Sequence, residues 1–87
     1  MVKSHIFRKK KFKIFFRSPK NRNHIGTCDE QDREIEIKPT LKGEEELDCL
    51  IHEGLHACLP DLHDGAVNDT ASSIAKLLIK LGYSRRE

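Results

Sequence analysis

The sequence predicts an α+β fold, a small three-stranded antiparallel sheet backed by two helices, and three observations carry that expectation. Stretches 11–17 and 34–38 alternate apolar and polar residues with the period of a strand, and a weaker third lies at 24–28. Stretches 44–59 and 64–81 instead repeat apolar residues at intervals of three and four, the spacing of one helix face. Pro39 and Pro60 punctuate the chain after the third strand and after the first helix.

Taken in order, residues 1–10 are polar and basic, and they are expected to be an arm that only a partner orders. A single domain then runs over 11–87. Its first strand, Lys11 to Arg17, sets Phe12, Ile14 and Phe16 on one face, and Ser18 to Asn23 reads as a loop. His24 to Cys28 is a short second strand weakened by Gly26. Asp29 to Asp32 reverses the chain, and Glu34 to Lys38 is a third strand with Ile35 and Ile37 inward. The first helix begins near Thr40 or Gly43, with Glu44, Glu45 and Glu46 in its first turn, where the dipole favours acids. Its Leu47, Leu50, Ile51, Gly54, Ala57 and Cys58 form an apolar arc suited to packing on a sheet. Asp64 suits the cap of the second helix. That helix carries Val67, Thr70, Ala71, Ile74, Leu77, Leu78 and Leu81 on its core stripe, and Gly82 ends it.

Charge is segregated along the chain. Residues 1–28 carry nine Lys and Arg and no acid, residues 29–69 carry a net −10, and the remainder carries +3. The overall +2 therefore hides a strong asymmetry, and the basic stretch 3–22 fits a nucleic acid or an acidic protein surface. No apolar run approaches the ~20 residues of a membrane span. The N-terminal residues lack the apolar segment of a secretion signal. Three cysteines, Cys28, Cys49 and Cys58, do not make a disulfide framework, which points to a reducing compartment such as the cytoplasm. A chain this short buries only about 60–65% of its potential surface on folding, so a bound metal would help hold it together.

The chemistry concentrates in His52-Glu53-Gly54-Leu55-His56, which reads H-E-x-x-H within the first helix. Histidines four apart share a helix face, so both imidazoles reach one tetrahedral cation, at roughly 2.0–2.1 Å for zinc. Glu53 is rotated off that axis toward the metal's water, the place of a general base. On a helical wheel the three residues lie opposite the apolar arc. A catalytic zinc needs a third protein ligand, and the order of preference is Asp64, then His63, then Asp61. Asp69 is turned toward solvent. Cys49, three before His52, is a core neighbour or the third member of a structural Cys49/His52/His56 set. His63 is open to an oxyanion-binding role as well.

The run Ile35-Glu36-Ile37 followed by Leu47 to Ala57 resembles minimal zincin metallopeptidases, most of all the SprT-like and ImmA/IrrE-like groups and small phage-encoded relatives. The resemblance covers roughly residues 24–83, and its specific part is the pentad. It implies Zn2+ as cofactor, His52 and His56 as ligands, Glu53 as base and Asp64, opening the next helix, as third ligand. The family pattern usually has Glu at that last position. The implied function is hydrolysis of peptide bonds in a protein or peptide substrate. The strand at Glu34–Lys38 would receive an extended substrate by strand addition. The alternative is a catalytically inert zinc protein within a larger assembly, such as a small phage particle component.

Overall fold

The computed structural model describes residues 2–20 and 23–85. Strands β1 (Val2–Phe7), β2 (Lys10–Phe16), β3 (Gly26–Asp29) and β4 (Glu34–Ile37) are followed by helices α1 (Gly43–Cys58) and α2 (Asp64–Lys80). The α+β class holds, but the sheet is four-stranded and mixed, in the order β1-β2-β4-β3, rather than three antiparallel strands. Two antiparallel hairpins, β1–β2 and β3–β4, join along a parallel seam that sets Lys13–Phe16 against Glu34–Ile37. Strand β4 takes the interior position because Ile35, Glu36 and Ile37 are all buried there, and β3 is carried past it to the edge.

Residues 2–7, expected within a partner-ordered arm, form β1 instead. The turn that returns the chain is Arg8-Lys9, both at positive φ (48° and 71°). A two-residue hairpin needs that left-handed pair, and Asn-Gly usually supplies it. Other contacts hold it here. Arg8 Nη1 donates to the Cys58 carbonyl at 3.0 Å, satisfying one of the last carbonyls of α1. Phe7 packs edge-on against Phe12, with centroids 5.7 Å apart.

The core gathers Phe12, Ile35, Ile37, Leu41, Cys49 and Ala57 between the sheet and α1. The sheet is backed by α1 and not by both helices. Among the described residues no Cα of α2 comes within 8 Å of a strand, and α2 packs on α1 alone. Its buried line is Val67, Ala71 and Ala75, small residues that let the two helix backbones approach. Ile74, Leu77 and Leu81, expected on the core stripe, remain 40%, 53% and 64% exposed. Helix α1 is thus covered on two sides and divides its apolar residues between them. Its most buried side chains toward the sheet are Glu46, Cys49, Glu53 and Ala57, while Leu47, Leu50, Ile51 and Cys58 are half-buried. No helix among the described residues is long and apolar enough to cross a membrane.

The chain after α2 folds back on this core. Arg85 Nη1 donates to Glu46 Oε2 at 3.0 Å, and its guanidinium stacks 3.9 Å from the Phe16 ring centroid. Glu46 is 6% exposed, so its carboxylate depends on that partner. Replacing Arg85 by Ala leaves a buried acid unpaired and is expected to lower unfolding free energy by about 1–3 kcal/mol in a urea melt; the double variant Arg85→Ala/Glu46→Gln should recover part of the loss.

Candidate metal centre

His52, Glu53 and His56 leave the middle of α1 where β3 and the start of α2 flank it. The four-residue spacing brings the two Nε2 atoms to 3.2 Å, with ring centroids 4.9 Å apart and planes inclined at 69°. A Glu53 carboxyl oxygen joins them. The three ligand atoms lie within 4.8 Å of one another, and no other such trio of His, Cys, Asp or Glu occurs among the described residues. They open on a cavity of about 760 Å³ that His24, Gly26, Asp48, Asp64 and Asn68 also line.

The trio suits a divalent cation on three counts. Two nitrogens at roughly 2.0–2.1 Å from a tetrahedral zinc stand about 3.3–3.4 Å apart, so the helix already presents its imidazoles near the required separation. Burial, and next to it the His56 ring, holds the His52 imidazole below its ordinary pKa, which keeps it neutral with a lone pair to offer. Glu53 is 6% exposed and has no hydrogen-bond or ion-pair partner among the described residues. A secluded carboxyl of that kind calls for a proton or a cation. Burial pushes it up to about 7.

The helix-wheel expectation set Glu53 opposite the core with the two histidines. Its carboxyl sits instead at the edge of the core, because β3 and α1 touch there. A Cβ at Gly26 would stand 2.5 Å from Cys49 Sγ and 3.0 Å from Glu53 Oε2, so any side chain there would have to push both aside. Cys49 stands outside the trio. Its thiol donates to the Ile25 carbonyl at 3.6 Å, and burial, then the Glu53 charge, pushes it up to about 12.

Of the three candidates for a third protein ligand, only Asp64 lines the cavity. It is exposed on the first turn of α2 and lies outside the trio. It is not the helix cap. His63 caps α2, accepting the Ala66 N–H on Nδ1 at 3.3 Å, and it does not line the cavity. Asp61 lies away from the cavity lining. Sequence reasoning assigned no role to His24 or Asn68. Asn68 could have been found from its place four residues after Asp64, on the same face of α2. No protein-family model, curated protein or solved structure matches the chain.

Two outcomes follow from this packing. Gly26→Ala forces Cys49 and Glu53 to shift and is expected to destabilise the protein by about 1–3 kcal/mol in denaturant melts. Glu53 ionises near pH 4.5 in an unfolded chain and near 7 when folded, so ionising it works against folding. The metal-free protein should therefore lose stability as pH rises from 4.5 to 7, with the loss complete above 7. Glu53→Gln should flatten that slope in thermal melts across this range, leaving the variant the more stable protein above pH 7.

Proposed function

We propose that the chain is a zinc-dependent metallopeptidase of the zincin kind, acting on a protein or peptide substrate. The carrying observation is the trio itself, two imidazole nitrogens 3.2 Å apart beside a secluded carboxyl, all open to one cavity. His52 and His56 would hold the ion, with Asp64 reaching in from α2 as third ligand. A zinc ion bound there polarises a carbonyl and makes water easier to deprotonate. Glu53 accepts the proton from water and returns it to the leaving amine. Burial alone holds the metal-free carboxyl near 7, and a bound cation beside it would lower that value and favour the carboxylate that accepts a proton. The secluded site on α1 keeps that carboxyl from being tied up by another partner.

Strand β4, expected to receive an extended substrate, cannot do so because β2 and β3 already pair with its two edges. The strand with an outer edge beside the cavity is β3. A peptide added there would run past Glu53 and the two histidines, which Gly26 brings close.

Metal analysis of purified wild type against His56→Ala tests the centre, with about one zinc per chain expected in the former and none in the latter. Glu53→Gln should retain zinc while proteolysis of an unfolded protein substrate falls by a factor on the order of 10² or more. Equal zinc-dependent turnover by Glu53→Gln and wild type sinks the assignment of the base.

A second reading, zinc held for stability without turnover, is favoured by Asp64 standing outside the trio while Glu53 stands within it. A Glu53 that ligates the ion is not free to act as base. Chelation separates the two readings: a stabilising ion gives a large drop in melting temperature with EDTA, and a catalytic one chiefly a loss of activity.

A further inference from the structure

The β1–β2 hairpin carries a set of cations that the metal site does not use. Lys3, Lys9, Lys10, Lys11 and Lys13 are all exposed, and none has an ion pair among the described residues. Carboxylates are absent from the hairpin and collect at the other side of the sheet, on Asp29, Glu30, Asp32, Glu34 and Glu36. Strand β4 pairs with β2 only from Lys13 onward, so residues 5–12 form a ribbon two strands wide that packs one face on α1 and leaves the other open. Its Arg8-Lys9 turn holds two basic residues in the left-handed region, a conformation costing on the order of 1 kcal/mol for each residue. The ribbon is fixed rather than trailing, because Arg8 is bonded to the end of α1 and Phe7 packs at Gly54.

We propose that this hairpin is a nucleic-acid-binding surface, taking the phosphate backbone of DNA or RNA without sequence preference. Lys11 and Lys13 lie on the same face of β2, about 6.6–6.8 Å apart, and they rise from the sheet face that no helix covers. Their cross-strand neighbours on that face are Ile6 and Ser4 on β1 and, beside Lys13, Glu34 on β4, which Arg17 also approaches at 3.9 Å. Its apolar residues, Ile6 and Phe15, stand apart among the lysines, and nucleic-acid interfaces are polar and strongly positive. Lysines on an exposed edge strand can serve merely to prevent edge pairing. That role does not call for Lys13, which is flanked by β1 on one side and β4 on the other.

The surface is independent of the metal centre. Gly54, which touches Phe7, is two residues from both His52 and His56, hence about 200° around α1 from each. Nucleic-acid binding therefore stands or falls separately from proteolysis.

Fluorescence anisotropy of the full chain with a short labelled DNA duplex and with single-stranded RNA tests the proposal, in a salt series between about 50 and 200 mM. The expected result is binding whose logarithm falls linearly with the logarithm of salt concentration. The triple variant Lys9→Gln/Lys11→Gln/Lys13→Gln should weaken it at least about tenfold and reduce the slope by about 2–3. The matched variant Lys42→Gln/Lys76→Gln/Lys80→Gln removes the same charge elsewhere and should leave binding within about twofold of wild type. Single replacements should give graded losses, and circular dichroism melts check that each variant folds. Absence of binding overturns the proposal, as does an equal loss in the matched variant, which reduces the effect to net charge. It also falls if poly-glutamate displaces DNA at equal charge concentration. Self-association of the triple variant with unchanged DNA binding would assign the lysines to edge protection instead.

Discussion

The close approach of β3 to α1 at Gly26 is the constraint on which the rest of this structure depends. With no side chain at that position, the strand backbone reaches the helix between Cys49 and Glu53. A helix seated this low leaves Glu53, beside the two histidines, largely buried at the edge of the cavity. The helical spacing sets Glu53 beside His52 and His56, and the close approach of β3 adds the burial that raises its affinity for a proton. Helix α2 then packs on the opposite flank through Val67, Ala71 and Ala75 and brings Asp64 and Asn68 to the mouth of the cavity.

Much of this could be read from residues alone, and the failures have physical causes. The pentad, the two helices and the strands around Phe12 and Ile35 declare themselves by periodicity, which local chemistry enforces. Strand β1 does not, because Lys3, Ser4 and His5 dilute its alternation and Arg8-Lys9 lacks the usual residues of a tight turn. What stabilises that turn is a hydrogen bond to Cys58, fifty residues away, which no local window contains. The parallel pairing of β2 with β4 is equally remote information, since nothing in either strand distinguishes its neighbours.

The helix faces fail for a different reason. An apolar arc drawn for α1 assumes one covering surface, and this helix has two, so Leu47, Leu50 and Ile51 yield the deepest positions to Cys49 and Glu53. On α2 the pattern of large residues pointed to a core stripe, yet close contact with a single neighbouring helix selects alanine and valine and leaves Ile74, Leu77 and Leu81 in solvent. The candidate site was legible in its composition and not in its depth. Residue spacing reveals which groups can meet, whereas their protonation depends on what covers them.

The seam between the two hairpins carries a consequence for how the chain assembles. Each hairpin closes a short loop and can form early from contacts near in sequence, but joining them in parallel register requires residues about twenty apart to meet across an intervening strand. One hairpin is wholly cationic and the other predominantly anionic, and Arg17 bridges them by pairing with Glu36 while stacking on Phe15. Attraction between the two units draws complementary halves together and keeps like halves of separate chains apart during folding. The lopsided charge of the sequence thus makes the two halves of the sheet electrostatic complements of each other.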